Sequence, residues 1–300
     1  MDNIRGIVLM VAAMAGFALE DMFIKRASGS LPTGQILVIL GFGGTLVFGL
    51  MARRHGTRLV SRSAILPPVM LRHVGEVVGT LSFVTAISLV PLSLASAILQ
   101  ATPLAVTLGA ALFLGEDVGW RRWSAIAVGL FGVLLILRPG FEGFRPASLF
   151  AVLAVVGLAT RDLATRRVPA HVSTTQLSVY AFALMVPAGL ILLAFSGGAA
   201  LPETARWIDL GGALVVGVFG YYAITAAMRV GEVAAVTPFR YTRLLFALVI
   251  GTVVFGERPD TLTLVGAAIV IGSGLYTLFR EARLGRARRR AVLTPSGPVN

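Results

Sequence analysis

Apolar residues run along this chain in blocks of about 20, each closed by charge, glycine or proline. Ten blocks can be read, over residues 4–25, 33–52, 67–89, 93–114, 122–137, 147–165, 174–195, 207–229, 233–255 and 261–279. A helix of such length crosses the roughly 30 Å hydrocarbon core of a bilayer. The pattern therefore predicts an all-α integral membrane protein with ten transmembrane helices. The first block follows Met1-Asp2-Asn3 and has no small-residue cleavage segment behind it, so it is expected to be a retained span and not a signal peptide.

Composition supports a lipid environment: 56% of residues are hydrophobic, 13% are charged, and the mean hydropathy is +0.86, too little polar material to clothe a soluble core of this size. The formal charge of +12 sits in short arginine clusters between blocks and in the tail, not along one helix face, which argues against a nucleic-acid partner. With the N-terminus inside, sixteen arginines fall on the cytoplasmic side, among them Arg5, Arg53, Arg54, Arg58, Arg166, Arg167 and the tail from Arg280 to Arg290. Six basic residues fall outside: Lys25, Arg26, Arg138, Arg145, Arg206 and Arg258. The positive-inside rule then predicts a multi-pass protein of the cell inner membrane with both termini cytoplasmic. The basic tail, 281–300, reads as a topology anchor with a disordered end at 295–300; contact with anionic lipid is the second reading. The chain has no cysteine, which excludes disulfides, thiolate metal sites and cysteine nucleophiles.

Shifting the chain on itself by 141 positions pairs Gly16 with Gly157, Asp21 with Asp162, Gln35 with Gln176, Gly79 with Gly220, and Gly115-Glu116 with Gly256-Glu257, without a gap. The aspartate, glutamine and Gly-Glu matches at one constant offset indicate a duplication, with halves at 1–140 and 141–280. Five spans per half is an odd number, so the second half enters the membrane from the opposite side. Two inverted five-helix repeats, exchanging conformations around a central site, are the plan of many secondary transporters.

The segment from Ala86 to Gly132, with Ala95-Ser96-Ala97, Thr102-Pro103, Leu114-Gly115-Glu116 and a glycine-bearing helix, recurs as Phe255-Gly256-Glu257 followed by Gly266 and Gly272. In these residues the chain resembles the EamA-type permeases of the drug/metabolite transporter superfamily, nearly to Phe279, and the aromatic amino acid exporter branch is the most similar. The resemblance implies ten helices, a central cavity between the first four helices of each half, and export of amino acids or amphiphilic metabolites. It departs from the family pattern where Leu244 replaces the equivalent of Pro103, with Pro238 earlier, and where Arg240 and Arg243 stand opposite Leu99 and Thr102 of the first half.

Ionisable groups inside a bilayer cost about 2.5–3.5 kcal/mol each on insertion scales, so they face a cavity or a partner. Arg240 and Arg243, with Tyr241 between them, lie near the middle of the ninth block; Arg72, His73 and Glu76 lie in the third, with Thr80 on the same stripe. An arginine fork suits a carboxylate and Glu76 an ammonium, so Arg240 or Arg243 with Glu76 would hold a zwitterion; a buried ion pair between the two helices is the structural alternative. Gln100 reads as substrate contact or interhelical glue, Tyr221 and Tyr222 as cavity wall or packing, and His73 as a proton relay with Glu76 or a hydrogen-bonded core histidine. Asp21 is expected to pair with Lys25 one turn on, and Glu116 and Glu257 to bond nearby backbone or helix starts.

A P-loop needs Gly-Lys, and the chain's one lysine, Lys25, follows Ile24. Transport is therefore expected to be facilitated or coupled to an ion gradient, with protons the candidate ion and no cofactor. A passive channel remains the rival reading. An intramembrane enzyme is disfavoured: Ser273 has no histidine within reach by repeat geometry, and no His-Glu-x-x-His motif occurs. The partners are the bilayer and a small molecule such as an amino acid; a monomer is compatible with this plan, and the sequence does not fix the oligomeric state.

Overall fold

The computed structural model describes residues 2–57, 59, 62–115, 119–141, 143–169, 171–230 and 233–293, with no description of the side chains of Asp2, Arg229, Val233 and Ala234 and of residues beyond Arg280. Arg58, Glu116 and residues 295–300, named above, lie outside the described residues. All regular structure among those described is helical: α1 (Asp2–Ala27), α2 (Thr33–Arg54), α3 (Pro67–Leu89), α4 (Leu92–Leu99), α5 (Thr102–Phe113), α6 (Trp120–Leu137), α7 (Leu149–Thr165), α8 (Thr174–Phe195), α9 (Thr204–Val230), α10 (Val233–Val236), α11 (Thr242–Phe255) and α12 (Thr261–Leu293). Nine segments of the described residues are long and apolar enough to cross a membrane. The tenth is α3, which has the length, 23 residues, but carries Arg72, His73 and Glu76.

The fourth and ninth blocks, expected as continuous spans, are each broken near the middle. Pro103 has no N–H to give the Leu99 carbonyl, which accepts a bond from Thr102 Oγ1 at 2.6 Å instead, and the turn between α4 and α5 tightens to Ala101 N–H on Ile98 O at 3.0 Å. Pro238 has the same effect in the other half, where a 3-10 segment, Thr237–Tyr241, joins α10 to α11.

Helix pairing obeys the duplication. The four principal contacts are α1 with α9, α3 with α7, α2 with α8, and α6 with α12. Under the 141-residue shift α1 becomes α7 and α3 becomes α9, so the first two contacts exchange, while the other two map onto themselves. The fold is thus two inverted repeats about a pseudo-two-fold axis. Glycine allows the close approach: a Cβ on Gly157 would stand 2.5 Å from the Gly79 nitrogen, and one on Gly132 would stand 2.8 Å from the Gly266 carbonyl oxygen. Gly75 and Gly220 also lie at such crossings.

Outward faces are apolar, as lipid requires. On α11 Leu245, Val249 and Val253 form an exposed stripe at four-residue spacing, and Phe42, Leu46 and Leu50 do the same on α2. Polar residues are turned inward.

Candidate functional site

Two charged centres lie on the symmetry-related helices α7 and α1. At the first, between α3 and α7, Glu76 is held by two guanidiniums: Arg161 Nη1 at 3.2 Å from the facing helix and Arg72 Nη2 at 3.4 Å from one turn back. Arg161 also donates through Nε to Asp162 Oδ1 at 2.8 Å. Arg72 and His73 lie close, Nη1 to Nδ1 at 3.4 Å, and the His73 ring meets Tyr180 edge-on with centroids 5.6 Å apart. Tyr180 in turn donates to Leu59 O at 2.6 Å and accepts from Gln176 Nε2 at 2.7 Å. Thr80 is half-buried one turn beyond Glu76 on the same stripe.

At the second, between α1 and α11, Arg243 forks onto Asp21: Nη2 reaches Oδ2 at 2.7 Å and Oδ1 at 2.9 Å, and Nε reaches Oδ2 at 3.2 Å. The guanidinium lies against the Phe17 and Phe83 rings, 5.5 and 5.3 Å from their centroids, a cation–π setting that replaces lost hydration. Arg240, one turn earlier, is different. It makes no hydrogen bond or ion pair among the described residues, and its charged neighbours are Asp162, Arg161 and Arg243. Arg72, Arg161 and Arg243 are all paired.

The sequence-derived pairings need correction. Neither Arg240 nor Arg243 pairs with Glu76, because Arg72 and Arg161 already occupy that carboxylate. Asp21 does not pair with Lys25: Arg243 offers it a two-point fork, while the Lys25 ammonium bonds Ile87 O at 2.9 Å and Val90 O at 2.6 Å, at the carbonyl end of α3. Tyr222 is turned outward, 65% exposed; its neighbour Tyr221 faces inward, bonded to Ser178 and edge-on to Phe48. Tyr241 is buried with its hydroxyl directed at Gly274 of α12. Gln100 is buried at the α4–α5 break. Glu76 and His73 thus fall at the first centre and Arg243 at the second, while Arg240 has Asp162, Arg161 and Arg243 as charged neighbours and Tyr222 is turned away. Sequence reading missed Arg161, Asp162 and Tyr180 as members; the repeat carried the signal for the first two, since they are the counterparts of Glu20 and Asp21.

On the membrane face opposite the N-terminus, Glu257 accepts from Leu92 N at 2.6 Å, Ser93 N at 2.9 Å and Ser93 Oγ at 2.6 Å. It caps the start of α4, and Lys25 Nζ stands 3.7 Å away. The expected helix-start role of Glu257 is thus realised, across the boundary between halves. On the same face Gln35 clasps the Ala200 peptide from both sides, at 2.7 and 2.9 Å. Ser273 donates to Val270 O at 2.9 Å within its own helix.

A family model described as the EamA-like transporter family matches residues 4–138 and again 145–279. The chain is 28% identical over 295 residues to a riboflavin transporter of Vibrio cholerae, covering 95% of this chain and 97% of that one. It is 28% identical to the pseudopaline exporter CntI of Pseudomonas aeruginosa, over 89% of this chain and 93% of the exporter. It is 24% identical to an S-adenosylmethionine uptake transporter of Rickettsia felis, over 93% and 94%. A crystal structure of a protein 19% identical superposes with a TM-score of 0.57 over 91% of this chain and 98% of that chain, which shows the shared fold.

Proposed function

The chain belongs to the EamA-like transporter family, and on that premise we propose that this multi-pass carrier of small metabolites moves carboxylate-bearing zwitterions, amino acids including aromatic ones, outward by alternating access. One observation carries the reading: of the four intramembrane arginines, Arg240 alone has no partner among the described residues. A guanidinium left so in a low-dielectric interior is stabilised by an arriving anion, and its planar fork matches a carboxylate. Asp162, a charged neighbour of Arg240 that shares Arg161 with Glu76, would take the ammonium. The inward phenol of Tyr221 and the edge-on His73–Tyr180 pair offer an aromatic wall on the same side of the bundle.

Halves at 1–140 and 141–280 would rock against each other, in an inner membrane with both termini cytoplasmic. Cysteine labelling tests that orientation in a chain with no native cysteine. The substrate is tested by uptake into proteoliposomes with a panel of amino acids, riboflavin and S-adenosylmethionine. Counterflow exchange, a property of carriers and not of open channels, is expected for carboxylated members. Arg240→Lys should reduce it about tenfold, since it retains the charge and loses the two-point fork. Undiminished exchange in that variant would remove Arg240 from the site.

A further inference from the structure

We propose that Glu20 is a proton-binding site that couples transport to pH. The proposal rests on the carrier reading above and on the comparison of the two crossings. Under the 141-residue shift Glu20 corresponds to Arg161, and Gly217 corresponds to Glu76. At the α3–α7 crossing these positions hold the Arg161–Glu76 pair, at 3.2 Å. At the α1–α9 crossing the same two positions bring a carboxylate against a glycine: a Cβ on Gly217 would stand 2.6 Å from Glu20 Oε1. Where one crossing has a cation the other has an acid, and where the first has the cation's partner the second has no side chain.

Glu20 is half-buried and makes no hydrogen bond or ion pair among the described residues. It does not face lipid. Gly217 shares a stripe of α9 with Leu210, Leu214 and Tyr221, at helical spacing; Leu214 packs over Gly43 of α2, and Tyr221 bonds Ser178 of α8. That stripe looks into the bundle. The charged groups around it, Arg240 excepted, are committed elsewhere. On α1 itself Asp21 is taken by Arg243 of α11, and Lys25 by the end of α3 and Glu257. On α9 Asp209 is held by Arg26 and Arg206. On α3 Arg72 and Glu76 hold each other, beside His73. Arg240 and Tyr241, in the 3-10 segment, and Tyr221 complete the set, and α4 and α10 contribute no charge.

With Asp21 and Arg243 cancelling, a charge on Glu20 would be uncompensated in the bundle, and a proton on its carboxylate removes that charge. The proton leaves to water when the α1–α9 crossing opens, and a second negative charge then stands beside the Asp21–Arg243 pair. No oxidant or other co-reactant is involved.

Infrared difference spectroscopy of the full chain in lipid, titrated through the neutral range, reads this directly. The C=O absorption of a protonated carboxyl should appear in the wild type, shift in Glu20→Asp and vanish in Glu20→Gln, an isosteric change whose folding is checked by monodisperse elution. The same band in Glu20→Gln, or none in the wild type, overturns the proposal. In proteoliposomes the counterflow rate of whichever panel member is carried should change with pH in the wild type and flatten in Glu20→Gln; an unaltered pH profile in the variant also overturns it. Absence of exchange for the whole panel would instead overturn the carrier reading, and the infrared result would still decide the fate of Glu20.

Discussion

The α3–α7 and α1–α9 crossings descend from one ancestral contact and have diverged in charge while keeping their glycines. Gly79 faces Gly157 in one and Gly220 faces Gly16 in the other, so the backbones of both are close. The first has filled the space beside them with a network, Arg72–Glu76–Arg161–Asp162, in which every member has an opposite charge. At the second, Asp21 of α1 turns to Arg243 of α11 in a single fork, and Glu20 has no ion-pair partner among the described residues. Packing symmetry and charge asymmetry coexist because helix approach in lipid is set by small residues, whereas a charge is tolerated wherever one partner, a ligand or a proton can meet it.

The comparison is broken most readily at the aspartates. Asp21 is the sole carboxylate paired with Arg243 among the described residues, so Asp21→Asn should destabilise the solubilised protein by about 3–5 kcal/mol, the usual cost of leaving a buried charge alone. Asp162→Asn should cost about 1 kcal/mol, since Arg161 keeps Glu76. Equal losses in denaturant unfolding would mean that the two crossings are electrostatically equivalent after all.

Glycine substitutions sharpen the steric side. A Cβ at Gly157 meets backbone, the Gly79 nitrogen at 2.5 Å and its Cα at 2.7 Å, while at Gly16 the closest atoms are 3.1 and 3.3 Å away. Gly157→Ala should therefore cost about 1–3 kcal/mol and Gly16→Ala clearly less, read as thermal midpoints of the two variants. A reversed order would place the tighter crossing in the other half.

The Arg138–Asp260 pair at the membrane edge supplies the smallest effect and the scale for the others. Slight burial pushes the Asp260 carboxyl up, but the Thr263 N–H, bonded at 2.8 Å, and the Arg138 guanidinium outweigh it and hold the group below the ordinary carboxylate value. A depressed value contributes stability above the unfolded pKa, near 3.9, and that contribution is lost as pH falls through the folded one. With Asp260 55% exposed, the term is screened to about 0.2–1 kcal/mol. Asp260→Asn should lower the thermal midpoint slightly near neutrality and not at all in strong acid; a gap that widens on acidification would contradict this assignment.

The sequence by itself determined the ten-span plan, the duplication and the inward charges, because each follows from local rules: span length from bilayer thickness, inversion from an odd number of spans, and burial of charge from its cost in lipid. The mid-span breaks were half legible, at Pro103 and Pro238. What only the tertiary structure decided was the pairing. Arg240 and Arg243 stand three residues apart, yet Arg243 forks onto Asp21 while Arg240 makes no hydrogen bond or ion pair among the described residues, and Tyr221 and Tyr222 point to opposite environments. Spacing along a helix fixes which residues share a face, but which face meets which neighbour depends on crossing angle and separation, set here by glycines some 80 to 200 positions apart, as from Gly79 to Gly157 and from Gly16 to Gly220.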